Sequence, residues 1–133
     1  MKGATVYAYQ VNDPHRYGIV EFNEEKKVIS IEEKPVIPKS NFAITGIYFY
    51  DNTVCQRAKK LTPSKRGELE ITDLLKKYKL NKNLSAEIIG RGGAWLDTGS
   101  IEDYYKTIAF VQAVENRQGL KIACLEEIAF LNK

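Results

Sequence analysis

The order of strand and helix signals predicts an α/β fold, a mixed sheet flanked by helices. Strand-like and helix-like periodicities interleave along the whole chain instead of segregating into blocks. Residues 43–50 form a nearly continuous apolar run, β-branched or aromatic, as expected of a central strand covered on both faces. Ser100-Ile101-Glu102-Asp103 has the form of a capping box and opens the clearest helix pattern in the chain.

Taken in order, residues 4–11 alternate and are rich in Val, Thr and Tyr, which reads as a strand ended by Asn12-Asp13-Pro14. Residues 17–22 and 27–33 are two extended runs around the polar turn Asn23-Glu24-Glu25-Lys26, together a hairpin. Pro35, Pro38 and Lys39-Ser40-Asn41 mark a loop before the central strand. Asp51 or Asn52 is placed to cap a helix reaching about residue 61, where Thr62-Pro63-Ser64 stops it. A second helix starts between residues 68 and 72 and carries Leu69, Leu74, Leu75 and Tyr78 on one side. Residues 84–89 read as a strand ending at Gly90, and Gly90, Gly92 and Gly93 make a flexible approach to Trp95. The capping box then starts a helix through Gln118, with Tyr104, Ile108, Val111 and Val114 at helical spacing and Gly119 as terminator. A short apolar run, 120–124, precedes an amphipathic segment from Glu126. There is no internal repeat, low-complexity tract or linker, so residues 1–133 are expected to form a single domain. Met1-Lys2-Gly3 leads straight into a strand, and the neighbouring strands of its sheet are expected outside this stretch.

Composition excludes several classes. The chain has 133 residues, 44% hydrophobic and 28% charged, which suits a soluble globular protein with a real core. A formal charge of +3, with acids and bases alternating as in Glu24-Glu25-Lys26-Lys27, gives no argument for nucleic acid or an anionic membrane. Cys55 and Cys124 show no metal-ligand spacing and read as structural thiols in a reduced compartment. No stretch has transmembrane length and no signal-peptide core is present, so a cytoplasmic location is expected.

Four short motifs put charged or aromatic groups beside turns or at the ends of apolar runs, where scaffolds present chemistry. Glu33-Lys34-Pro35 ends a strand. Lys34 is a point charge suited to a phosphate monoester and Glu33 can accept two hydroxyl hydrogen bonds, as a sugar offers; taken alone the pair is also an ordinary surface ion pair. Tyr17-Gly18 opens its own strand, either as a bulge glycine beside a core Tyr or as a place where a ligand reaches the main chain. Asp97 lies in a Gly-flanked turn, where a carboxylate either holds Mg²⁺ or binds its own backbone. Trp95 is the only Trp and either packs or stacks on a sugar or base. Arg66-Gly67-Glu68 precedes a helix whose early acids, Glu70 and Asp73, suit the helix dipole. His15 reads as an exposed loop residue, and no Ser/His/Asp or Cys/His arrangement is visible.

In order, these motifs closely resemble the C-terminal half of the bacterial glucose-1-phosphate thymidylyltransferases, a family of sugar nucleotidyltransferases with a Rossmann-like fold. The resemblance runs from Gly3-Ala4-Thr5-Val6 through Asn12-Asp13-Pro14, Arg16-Tyr17-Gly18, Ile31-Glu32-Glu33-Lys34-Pro35 and Thr45-Gly46-Ile47-Tyr48-Phe49-Tyr50. It continues through residues 66–73 and 94–99, Arg117-Gln118-Gly119-Leu120-Lys121 and Glu126-Glu127-Ile128-Ala129. It implies an enzyme that joins dTTP and glucose 1-phosphate to give dTDP-glucose and pyrophosphate, with Mg²⁺, in nucleotide-sugar biosynthesis of the dTDP-rhamnose pathway. By the same resemblance Tyr17 and Gly18 line the sugar pocket, Glu33 binds glucose hydroxyls, Lys34 binds the phosphate, and Ile44 and Tyr48 flank the sugar. Arg66 and Glu68 border the sugar side, and Asp97 is one of two metal aspartates, supported by Trp95. A regulatory nucleotide site would involve Arg91, Glu127 and Ile128, and a homo-oligomer is implied. The family's Gly-rich loop, phosphate-binding Lys and other metal aspartate belong to its N-terminal half and have no counterpart here. Gly93 stands where the family usually has Tyr, and Leu125 where it usually has Pro. The resemblance thus implies the sugar-phosphate half of a site, inactive until an N-terminal half is supplied. The alternatives are a free-standing module that binds a sugar phosphate or nucleotide, and a structural remnant that self-associates through a sheet edge.

Overall fold

A computed structural model describes residues 2–132, which fall into two compact units divided between Ala94 and Trp95. The first unit holds β1 (Ala4–Gln10), β2 (Gly18–Phe22), β3 (Val28–Glu33), β4 (Phe42–Tyr50), α1 (Val54–Ala58), α2 (Ile71–Leu80) and β5 (Leu84–Ile88), with a short 3₁₀ turn at Pro14–Arg16. The second holds α3 (Ile101–Gln118) and α4 (Leu125–Leu131).

The five strands make one mixed sheet in the order β3-β2-β4-β1-β5. β1 pairs antiparallel with β4 and parallel with β5, and β2 pairs antiparallel with both β3 and β4. The hairpin has the expected turn: Asn23 and Lys27 exchange hydrogen bonds across it, through N–H to carbonyl at 3.0 Å and N–H to Asn23 Oδ1 at 2.8 Å. In β4 the register slips opposite Val6–Ala8, around Gly46, whose φ of 82° suits a bulge.

The core is built on one face. Val6, Ala8, Val20, Ile31 and Ile44 from four strands close on Leu75 of α2, and Ala4 closes on Leu74 and Tyr78. α1 contributes Val54 and Ala58 to the second cluster, so both helices of this unit serve the same core. This corrects the expectation of a doubly covered central strand. β4 is central in the sheet order, yet Ile47 and Phe49 remain 50% exposed because their side chains alternate away from the core that Tyr48 and Tyr50 join. β2 meets β4 only at Ile19–Ala43 and Val20–Phe42, and residues 46–50 have no strand partner on that side among the described residues.

Leu69 was expected on the buried side of α2. It precedes the helix and is 63% exposed, since α2 begins only at Ile71. Neither Asp51 nor Asn52 caps α1; Thr53 occupies that position without a side-chain cap. Asp51 instead clips the chain. Its carboxylate accepts from the Gly3 N–H (2.8 Å), the Thr53 N–H (3.0 Å), the Thr53 hydroxyl and the Tyr78 hydroxyl (3.0 Å). These bonds hold it well below the usual carboxylate range, the Thr53 hydroxyl first. Arg57 lies 4.4 Å over the Tyr78 ring and donates to Thr53 Oγ1 at 2.9 Å, which completes the clip.

In the second unit Ser100 caps α3 as expected. Ser100 Oγ accepts from the Asp103 N–H at 3.0 Å and donates to Asp103 Oδ2 at 2.8 Å. Gly119 ends α3 in the left-handed region at φ 71°. Both cysteines are free thiols, Cys55 exposed and Cys124 half-buried.

Candidate functional site

The β2–β3 ladder sets Gly18 directly opposite Glu33. The Lys34 N–H continues it by donating to the Tyr17 carbonyl at 3.0 Å. Lys34 then turns out of the strand at φ 41°, a left-handed value that favours Gly, and Pro35 buries behind it. The carbonyl of Pro35 accepts from His15 Nδ1 at 3.1 Å, so the lone histidine ties the 3₁₀ turn to this corner.

Gly18 is where three segments converge. A Cβ there would lie 2.9 Å from Thr72 Cγ2, 3.2 Å from Glu33 Oε2 and 3.8 Å from Ile44 Cδ1. The missing side chain lets the Glu33 carboxylate of β3 and Thr72 at the start of α2 come this close, while Ile44 of β4 would be in ordinary contact. Tyr48 completes the wall: burial raises its phenol pKa first, and the nearby Glu33 carboxylate raises it further.

The loop before α2 brings Arg66 to the same corner. Its guanidinium stands 3.9 Å from Glu33 Oε1, 3.4 Å from Glu70 Oε1 and 3.1 Å from Glu68 Oε2. Ser64 holds the loop, with Oγ donating to Glu70 Oε1 at 2.9 Å and accepting from the Arg66 N–H at 3.1 Å. A shallow cavity of about 350 Å³ opens here, lined among others by Glu33, Ser64, Arg66 and Glu70. One guanidinium faces three carboxylates, so the corner is rich in acceptors, as hydroxyl-bearing ligands require. Arg66 also offsets part of the negative charge of Glu33 and Glu70.

The fold thus gathers Tyr17, Gly18, Glu33, Lys34, Ile44, Tyr48, Arg66 and Glu68 at one end of the sheet of the first unit. Arg91 lies elsewhere in that unit, beyond β5, beside a cavity shared with Tyr9 and Phe42. Trp95, Asp97, Glu127 and Ile128 belong to the second unit. Asp97 Oδ1 accepts from the Gly99 N–H at 3.2 Å, a turn that leads into the Ser100 cap. A carboxylate accepts along about four lone-pair directions, so this turn and a metal bond are compatible. No group of three or more His, Cys, Asp or Glu suited to a metal occurs among the described residues; Asp97 can supply one hard-oxygen ligand.

In the sequence Glu70 reads only as an acid suited to a helix start, and Thr72 is not singled out. Glu70 is 8% exposed and Thr72 1%, and Thr72 Oγ1 has no hydrogen-bond partner among the described residues. The signal was a polar pair flanking an apolar residue directly before a helix core.

A mixed five-stranded sheet with helices and a polar corner at its strand ends is a Rossmann-like arrangement. The family model described as nucleotidyl transferase matches residues 1–114, and the chain belongs to this family. Curated relatives are named glucose-1-phosphate thymidylyltransferase. One from Neisseria meningitidis serogroup A is 58% identical over 98% of this chain and 45% of its own length. One from Mycobacterium tuberculosis is 46% identical over 98% and 45%. A Bacillus anthracis crystal structure described as a glucose-1-phosphate thymidylyltransferase in complex with a sucrose matches at TM-score 0.73 and 41% identity, over 82% of this chain and 43% of that one. A UDP-glucose pyrophosphorylase complexed with UDP-glucose matches at TM-score 0.72 and 26% identity, over 84% and 45%. The chain spans less than half the length of these curated relatives. No helix among the described residues is long and apolar enough to cross a membrane.

Proposed function

We propose that this chain supplies the sugar-phosphate side of a glucose-1-phosphate thymidylyltransferase site. The reading rests on one observation, the Glu33 carboxylate packed against Gly18 with the Arg66 guanidinium 3.9 Å away, in a chain whose relatives carry that name. In the reaction a phosphate oxygen of glucose 1-phosphate forms a bond to the α-phosphorus of dTTP. The bond from that phosphorus to the bridging oxygen breaks and pyrophosphate leaves with the electron pair. Little covalent chemistry falls to the protein, so positioning and charge neutralisation carry the rate.

Glu33 accepts from sugar hydroxyls, with Arg66 3.9 Å from its carboxylate. Lys34 neutralises the sugar phosphate, its φ of 41° turning the residue out of the ladder. Gly18 lets the sugar reach the main chain beside Tyr17, and Ile44 and Tyr48 form the wall. Trp95 supports the turn that presents Asp97. Mg²⁺, when bound, would neutralise phosphate charge, with Asp97 as one of its ligands. The rest of the length seen in the relatives would hold the nucleotide and the remaining metal ligand, so turnover needs it. Arg91, Glu127 and Ile128 would serve a regulatory nucleotide, in a homo-oligomeric cytoplasmic enzyme.

Calorimetric titration with glucose 1-phosphate tests the reading. Saturable binding is expected, weakened about tenfold or more in Lys34→Ala by loss of a charge-assisted bond. Equal affinity in that variant would remove Lys34 from the site. Pyrophosphate release is expected only when the remaining part of a relative is added. A second reading, self-association, is favoured by the open edge of β4 at residues 46–50.

A further inference from the structure

A second cavity lies away from the Gly18 corner, between β3, the end of α2 and β5. Its volume is about 830 Å³, within the range of small-molecule sites of roughly 300–1,000 Å³. Lys26 and Lys27 reach it from the hairpin turn, and Lys79 and Lys82 from the end of α2. Glu87 is the only acid in its lining. Lys27 is occupied by Glu25 at 2.7 Å, whereas Lys26, Lys79 and Lys82 have no carboxylate partner among the described residues. Val28, Leu84 and Ala86 supply an apolar floor, all three half-buried against the core.

Ammonium groups gathered around one opening repel each other unless an anion sits among them. Two of them are also held at a conformational cost. Lys26 and Lys82 occupy the left-handed region, at φ 59° and 55°, where Gly or Asn is the usual choice. The strands that frame the cavity, β3 and β5, stand at opposite ends of the sheet order, so only the curl of the sheet assembles it.

We propose that this cavity binds a small polyphosphate anion with a flat apolar body, the phosphates on Lys26, Lys79 and Lys82 and the ring on the floor. The chemistry is that of a nucleoside polyphosphate. The site shares no residue with the Gly18 corner and does not rest on the function proposed for it.

The test is amide NMR on the full chain, titrated separately with ATP, inorganic triphosphate and adenosine. Saturable shifts with ATP are expected at residues 26–28 and 82–88, with weaker binding of triphosphate and none of adenosine. Raising the salt should loosen the ATP complex. The double variant Lys79→Glu with Lys82→Glu should lose about tenfold or more in affinity, with the remaining amide spectrum unchanged. Affinity unchanged in the double variant, shifts confined to other residues, or no saturation would overturn the site. Triphosphate binding as tightly as ATP would overturn the apolar half of the proposal. Adenosine binding as tightly as ATP would overturn the anionic half.

Discussion

At Gly18 a single absent methyl decides how close three segments come. Gly18→Ala forces Thr72 Cγ2 and Glu33 Oε2 away from a Cβ at 2.9 and 3.2 Å, and overpacking of this kind costs about 1–3 kcal/mol. Urea unfolding should show that loss, and glucose 1-phosphate affinity should fall with it as Glu33 is displaced. Adding Thr72→Ser removes Cγ2, so the double variant should be less destabilised than the sum of the singles. Thr72→Val keeps Cγ2 and should give no such relief. Because Thr72 Oγ1 is buried without a partner, Thr72→Val by itself should be near neutral. Additivity in the Ala/Ser pair would mean that the cost arises elsewhere.

Among the elements, the Asp51 clip and α3 make contrasting demands. Asp51 joins the start of β1 to the end of β4 and to α2, and its folded pKa is depressed. A depressed carboxylate contributes stability above its unfolded pKa of about 3.9, and this is lost as pH falls through the folded value. The urea midpoint should therefore drop on acidification below about pH 4. In Asp51→Asn the midpoint should be lower at neutral pH and less sensitive to acid. An identical acid slope in the variant would assign the effect to other carboxylates. α3 has no fully buried residue, so its stability leans on its ends. Ser100→Ala should cost about 1 kcal/mol through loss of the cap, read as reduced helical circular dichroism; unchanged helicity would show that packing holds the helix.

For the whole molecule the telling feature is an incomplete sheet. β4 lies in the middle of the order, yet residues 46–50 have an edge unpartnered among the described residues, and Ile47 and Phe49 are half exposed. An edge of this kind recruits a strand from another chain or from the rest of the family's length. Sedimentation equilibrium should show self-association that Ile47→Lys weakens, since a charge beside the edge opposes strand addition. A monomer at all concentrations would discard the self-association reading.

The strands, the hairpin turn, the Ser100 cap and the Gly119 stop were legible because each rests on local chemistry: alternation, turn residues, a hydroxyl three residues before an acid. The family was legible because its motifs keep their order along the chain. Glu33, Lys34 and Gly18 could be named from that order. That Gly18 faces Glu33, that Arg66 is shared among three carboxylates, and that Thr72 fills the space beside Gly18 were decided by strand register and by the packing of α2. The same holds for the misread parts. Leu69 and the outer face of β4 carry apolar residues that periodicity assigns to a core, but only the side on which α1 and α2 pack determines which apolar residues leave water. The lysine-lined cavity was hidden for the same reason, because its walls are distant in sequence and meet only through the curl of the sheet. Local pattern fixes what each segment becomes; which groups meet depends on long-range pairing, which no short window of sequence encodes.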